Sequence, residues 1–329
     1  MTSSSLPAPL TIRRKLISFS GSKSYIKGTI ALYVLLIIVY LALVWFLPPN
    51  RSSLDKYSLN ELQAKLLNLT FVFPLIGVWI SALYGYLKFR AYALIIKDTP
   101  EGRPFNRLAD GLLVLAFGLP LTAIMSALFN FYSARHPEWL TVSTIIRNYI
   151  DLIVYFIAFT LLFHGARGLY TALRPKTLLS PGATKYTTVV TVAVSTVFTW
   201  LLLANPLNPA DVSGRSIYQL PNWLIVSTIA IPYLLSWYYG AMASYWLLAY
   251  RRQVSGKVYK QPFGDLAKGI AVIVFDAVFI RFITSLSPRL ERLNLTPILL
   301  IIYGLVLLYI LGYGLVARGA KGLKKIEEV

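Results

Sequence analysis

Long runs of apolar residues constrain the fold of this chain more than any other feature. Eight segments of roughly 20 mostly apolar residues follow one another along the chain. They lie at 29–48, 71–90, 109–131, 149–171, 186–204, 223–249, 268–287 and 297–317. A helix of that length rises about 30 Å, the thickness of a bilayer's hydrocarbon core, and within lipid only a helix or a closed barrel satisfies its own backbone. The sequence therefore predicts an all-α integral membrane protein with eight transmembrane helices.

The composition agrees with this prediction. Of the 329 residues, 57% are hydrophobic and 14% are charged. A soluble domain carries about 25% charged residues, so this chain has too few to cover an aqueous surface. Cysteine is absent, which excludes disulfides, thiol chemistry and cysteine metal sites.

The basic residues predict the orientation of the helices. Of the 32 lysines and arginines, 23 lie in the N-terminal segment, in the connections after spans two, four and six, and in the C-terminal tail. Eight lie in the opposite connections, so the positive-inside rule places both termini in the cytoplasm, with the chain integral to the cytoplasmic membrane. Attraction to anionic lipid headgroups accounts for the net charge of +19, and no nucleic-acid-binding motif is present. The predicted partner at the cytoplasmic face is therefore the anionic bilayer and not nucleic acid.

The two halves of the chain resemble each other at an offset of 154 to 158 residues. Four colinear blocks match, and they include Trp45/Trp200, Ser81/Ser236, Gly85/Gly240, Phe105/Phe263, Leu108/Leu266, Gly111/Gly269, Tyr155/Tyr309, Gly165/Gly319 and Gly168/Gly322. Four spans per copy is an even number, so both copies enter the membrane in the same direction. We expect two parallel four-helix repeats at 29–176 and 177–329, related by a pseudo-twofold axis along the membrane normal, after a basic cytoplasmic segment at 1–28.

Pairs of small residues recur in spans two and six. Ser81 and Gly85 are four residues apart, as are Gly240 and Ser244. Small residues at this spacing let helix backbones approach closely, so we expect these positions at helix–helix contacts. For either pair alone, ordinary small residues on lipid-facing helices are an equally good interpretation.

A helix-start pattern precedes span two. Ser58-x-x-Glu61 fits a capping box, and Leu62, Leu66 and Leu67 follow it. This pattern predicts a short amphipathic helix on the outer surface of the membrane.

Residues for catalysis are scarce. The chain has two histidines, His136 and His164, and neither has a partner at metal-ligand spacing. No P-loop, dinucleotide-binding glycine motif or His-Glu-x-x-His motif occurs, so we expect no enzymatic activity, cofactor or metal.

Span seven carries an ionisable residue near mid-membrane. A carboxylate at a helix centre, such as Asp276, raises the free energy of membrane insertion by about 2.5–3.5 kcal/mol. The Val, Ile and Phe residues of the span offset this cost. Arg281 lies five residues further on, about 140° around the helix, so a direct pair within the helix is not expected. Asp276 aligns with Gly118 of span three, two residues before Pro120, where a kink is expected. These four residues define a candidate intramembrane polar site between spans seven and three; the alternative is that Asp276 only fixes packing through hydroxyls of neighbouring helices.

The repeat unit resembles a four-helix membrane domain of unknown function found in many bacterial proteins. The resemblance rests on a span that ends in Trp45, an outer loop, Leu-Thr-Phe-Val-Phe-Pro74 opening the second span, a basic connection, and a third span that carries Asp276 in the second copy. The first copy has Gly118 at that position. The resemblance implies a class of membrane protein and no particular activity.

Two functions are compatible with these features. The first is a non-catalytic subunit, scaffold or small sensor of a membrane complex, with a membrane-protein partner or a second copy of the chain. The second is a transporter or channel for a small solute or ion that uses the mid-membrane carboxylate of Asp276.

Overall fold

The computed structural model describes residues 20–48, 54–55, 57–136, 140–172, 222–254, 257–285 and 295–327. These residues form seven long helices and no strand. The helices are α1 (Ser20–Phe46), α2 (Glu61–Ile95), α3 (Gly102–Arg135), α4 (Leu140–Ala172), α5 (Asn222–Gln253), α6 (Lys257–Ser285) and α7 (Leu295–Glu327). Predicted span five, at 186–204, lies outside the described residues. The prediction of an all-α protein is confirmed for the part of the chain described.

Five of these helices are long and apolar enough to cross a membrane. They are α1, α2, α3, α4 and α7, and they include stretches of 22 to 35 residues. The described parts of α5 and α6 are not among these five; α5 is rich in Tyr and Trp, and α6 carries Asp265, Lys268 and Asp276. Large apolar side chains also face outward; Leu300 and Leu307 are about two-thirds exposed, at 69% and 66%. Such a surface is costly in water and is expected in lipid, so the chain is a helical membrane protein.

The start of α2 differs from the expectation. Asn60 is the N-cap: its side chain accepts a hydrogen bond from the Gln63 backbone N–H at 2.8 Å, and its own backbone N–H donates to the Gln63 side-chain oxygen at 2.9 Å. The predicted short surface helix starting at the Ser58-x-x-Glu61 box is therefore wrong. The amphipathic turns that begin at Glu61 are the first turns of a single 35-residue helix that runs on through Pro74, because no helix-breaking residue separates them from the apolar run.

Six helices form a closed ring. Each of α2 to α7 packs against the next in chain order, and α7 packs back against α2. Helix α1 lies outside the ring, against α2 and α3. The Tyr33 hydroxyl of α1 donates a hydrogen bond to the Trp79 carbonyl at 2.6 Å, and the Tyr33 ring meets Phe117 edge-on.

Glycines lie at close helix crossings of the ring. A Cβ on Gly165 of α4 would lie 2.9 Å from the backbone nitrogen of Leu108, and a Cβ on Gly319 of α7 would lie 3.0 Å from that of Leu266. One helical turn on, Gly168 and Gly322 meet a proline ring in the same way. The backbones of α3 and α4, and those of α6 and α7, therefore approach closely where they cross. The glycines at these crossings align between the two halves of the sequence.

Candidate functional site in the centre of the ring

Aligned residues of the two halves meet at the centre of the ring. The hydroxyls of Tyr155 on α4 and Tyr309 on α7 are 2.7 Å apart. The rings of Phe105 on α3 and Phe263 on α6 are 5.9 Å apart between centroids. In the ring, α4 stands opposite α7 and α3 stands opposite α6, so the line that joins these two contacts runs through its centre.

The Phe105–Phe263 end of this line is filled by aromatic rings. Tyr92 packs edge-on against Phe105 at 4.9 Å, and Tyr250 packs edge-on against Phe263 at 4.7 Å. Both phenylalanines are buried. This end carries the basic connections, so the side predicted to be cytoplasmic is closed.

A cavity of about 210 Å³ lies in the other half of the ring, beyond the Tyr155–Tyr309 pair. Five helices line it, through Leu75, Val78, Trp79, Leu119, Thr122, Ala123, Ser126, Asp151, Tyr155, Ala277, Ile280 and Tyr309. The lining is mostly apolar and carries one carboxylate and four hydroxyls. That mixture suits a small polar or cationic solute, since polar groups fix orientation and apolar walls exclude water.

Asp276 lies in the wall beside this cavity. It is fully buried, and it precedes Ala277, which lines the cavity. Tyr309 lies within interaction range of its carboxyl, yet neither oxygen has a hydrogen bond of normal geometry in the described residues. A buried carboxyl with unsatisfied oxygens is costly, and such groups within membranes mark ion pathways and proton relays.

Asp151 is the third residue of predicted span four, a position where the sequence alone predicts a solvated carboxylate. The structure places it on the cavity lining, in the fourth turn of α4. Nothing in the sequence around it distinguishes it from a solvated end residue. Its place on the cavity lining follows only from the position and rotation of α4 in the ring.

The other residues of the predicted polar site are spread around the ring. Gly118 is on α3, where an added Cβ would contact Val154 of α4 and not the cavity. Pro120 lies inside the continuous helix α3. Arg281 belongs to α6, and its side chain is outside the described residues. Spans three and seven both line the central cavity, through residues that include Leu119, Thr122 and Ala277.

The predicted helix-packing residues occupy different environments. A Cβ on Gly85 would lie 3.2 Å from Val316 of α7, and one on Gly240 would lie 3.1 Å from Phe159 of α4. The Ser244 hydroxyl donates to the Ala267 carbonyl of α6 at 2.7 Å. The Ser81 hydroxyl instead donates to Gly77 within its own helix at 2.9 Å.

Comparison with protein-family models, with curated proteins and with solved structures finds no match for this chain. In the described residues, no group of three or more His, Asp or Glu side chains is placed to hold a metal ion.

Proposed function

We propose that the chain is an eight-span protein of the cytoplasmic membrane, with both termini inside and two parallel four-helix repeats. The ring supports the repeat, because α2, α3 and α4 follow one another around it and α5, α6 and α7 continue in the same order, as a twofold axis through the ring would require. The contacts between aligned residues, Tyr155 with Tyr309 and Phe105 with Phe263, support it too. So do the close helix crossings at the aligned glycines Gly165 and Gly319. In this arrangement the counterpart of α1 is predicted span five.

Single-cysteine labelling tests this topology. The chain contains no cysteine, so one introduced thiol is the only one present. Lys185 and Arg215 flank predicted span five; Lys185→Cys is expected to be shielded from an impermeant maleimide in intact cells, and Arg215→Cys to be labelled. Arg103→Cys and Arg135→Cys are the inside and outside references. Labelling of both flanking sites from the same side would remove span five and with it the proposed duplication.

For the function, the geometry favours the transport hypothesis. We propose that the chain carries a small cationic or polar solute along the axis of the ring. The observation that carries this proposal is the cavity on that axis, with Asp151 on its lining, and Asp276 buried beside it. Its volume holds a few water molecules, at about 30 Å³ each, so the solute is small.

The two ends of the ring supply the elements of alternating access. The cavity lies on the predicted outer side, while the aromatic cluster around Phe105 and Phe263 closes the predicted inner side. Movement of one repeat against the other about the axis would separate that pair and open a path past Tyr155 and Tyr309. Asp276 would then exchange its buried state for contact with the solute or with water.

Flux in proteoliposomes tests the transport proposal. Asp276→Asn and Asp151→Asn keep the shape of the side chain and remove its charge, and each is expected to lower cation flux at least about ten-fold. Asp110→Asn is the matched control, because Asp110 pairs with Arg90 at 3.6 Å near the cytoplasmic end and does not line the cavity. Full flux in both cavity variants, at wild-type expression, would contradict the proposal.

A second candidate is the subunit or scaffold hypothesis, and the environment of α1 favours it. This helix packs on one side against α2 and α3, while Leu35 and Ile38 on it are more than half exposed. Lipid or another membrane protein could cover that face. A stoichiometric partner in gently solubilised membranes, lost on Leu35→Ala/Ile38→Ala and kept on Asp276→Asn, would favour this candidate over transport.

A further inference from the structure

A basic pocket lies at the cytoplasmic ends of α5 and α6, separate from the central cavity. Its volume is about 360 Å³, and it is lined by Arg251, Lys260, Gln261, Gly264, Asp265 and Lys268. Arg251 comes from the last turn of α5, and the other five residues come from the first turns of α6.

The pocket has an excess of positive charge. Its one carboxylate, Asp265, already accepts two hydrogen bonds from Arg318 of α7, at 2.7 Å and 2.8 Å. In the described part of the chain, no ion pair engages Arg251, Lys260 or Lys268. The pocket therefore holds three cationic side chains, while the charge of its carboxylate, Asp265, is balanced by Arg318, which does not line the pocket.

The first half of the chain has acceptors where the second half has this pocket. Gly264 aligns with Asn106, and Lys268 aligns with Asp110. The Arg90 guanidinium donates to the Asn106 oxygen at 2.8 Å and lies 3.6 Å from Asp110. In the first half, the basic group is thus satisfied by the protein's own oxygens.

The second half lacks both acceptors. Arg251 occupies the space over Gly264, where an added Cβ would lie 3.0 Å from its Nε. Lys268 adds a cation where Asp110 adds an anion. An oxyanion bound in the pocket would supply the acceptor oxygens that the second half lacks at these two positions.

We propose that this basic pocket binds a phosphate-type oxyanion, either as the headgroup of an anionic lipid or as free phosphate. A planar guanidinium and two ammonium groups are the side chains that recognise phosphate oxygens. Basic pockets between membrane helices on the cytoplasmic side are a known setting for lipid headgroups.

Binding to the purified full-length protein tests this proposal, with two probes. The first is inorganic phosphate, and the second is phosphatidylglycerol in nanodiscs, against phosphatidylcholine as reference. Lys260→Gln/Lys268→Gln is expected to weaken binding at least about ten-fold, because charge-assisted hydrogen bonds are lost. Gly264→Asn, which restores the first-half residue, is expected to weaken it as well.

The matched control is Lys97→Gln/Arg103→Gln, which removes the same charge from the exposed cytoplasmic end of the first half. Binding in this variant is expected to stay within about two-fold of wild type. All substituted lysines are exposed, so their replacement is expected to leave the fold unchanged. An unfolding midpoint equal to that of the wild type, measured without ligand, checks this.

Each outcome decides the proposal. Phosphate binding that the pocket variant abolishes and the control retains supports a free-anion site. Binding of phosphatidylglycerol alone, with the same pattern among the variants, supports a headgroup site. Equal loss in pocket and control variants would mean diffuse surface charge and would overturn the proposal, and so would absence of binding to either probe.

Discussion

Replacing Gly165 or Gly319 with alanine tests the packing of the ring directly. At Gly165 the new Cβ would lie 2.7 Å from Leu108 Cγ and 2.9 Å from the Leu108 backbone nitrogen. At Gly319 it would lie 2.7 Å from the Pro262 carbonyl oxygen. Ordinary contacts of this kind are about 3.5–4.0 Å, so the helices must separate by several tenths of an ångström.

The expected loss of stability follows from two opposing effects. Overpacking a close contact costs about 1–3 kcal/mol. Alanine in a helix gains about 1 kcal/mol over glycine through its lower backbone entropy in the unfolded chain. The net destabilisation is therefore about 1 kcal/mol, and it should be nearly equal at the two sites, because both lie at the same crossing in the two halves.

Unfolding in mixed micelles of increasing denaturing detergent, followed by circular dichroism, measures this change. Gly77→Ala and Gly304→Ala are the controls, because an added Cβ at either glycine meets nothing within 4 Å. These controls should unfold at or above the wild-type midpoint, while the two crossing variants unfold below it. If Gly165→Ala and Gly319→Ala were as stable as the controls, the close crossings would be refuted.

Two further predictions concern polar contacts within the ring. In a double-mutant cycle on Tyr155→Phe and Tyr309→Phe, measured by the same unfolding assay, we expect a coupling energy of about 0.5–1.5 kcal/mol. Either single substitution already removes the 2.7 Å hydrogen bond between the two hydroxyls, so the double variant has no further bond to lose. Additive losses of stability would contradict the contact. Arg318→Gln should destabilise by about 1–2 kcal/mol, because it leaves the buried Asp265 without its bidentate partner and Arg318 itself is more than half exposed. Lys65→Gln, which breaks an i,i+4 pair on the surface of α2, should cost at most about 0.5 kcal/mol, and equal effects of the two substitutions would contradict the difference in burial.

The helices themselves could be predicted from the sequence with little else. Apolar runs of membrane-spanning length identify α1, α2, α3, α4 and α7, because lipid leaves a polypeptide no other way to satisfy its backbone. The exact ends were less predictable. Ser58 and Asn60 both begin plausible capping boxes, and only the backbone geometry selects Asn60 as the cap of a continuous α2.

The candidate site could be predicted only in part. Asp276 stands out in the sequence because a carboxylate within an apolar span is rare and costly, and the structure buries it beside the cavity. Asp151 could not be singled out, since its position near a helix end looks solvated until the ring surrounds it. The basic pocket likewise depends on which lysines α5 and α6 bring together, which spacing along either helix does not reveal.

The sequence by itself determined an all-helical membrane protein, the asymmetry of its basic residues and the correspondence between its halves. These properties are local or additive, since hydropathy, charge and residue identity are summed along the chain. The tertiary structure alone decided that six helices close into a ring, with Tyr155 and Tyr309 meeting across its centre. Each helix must choose neighbours and a rotation that bring its glycines and aromatic rings into contact, and that choice depends on all the other helices at once.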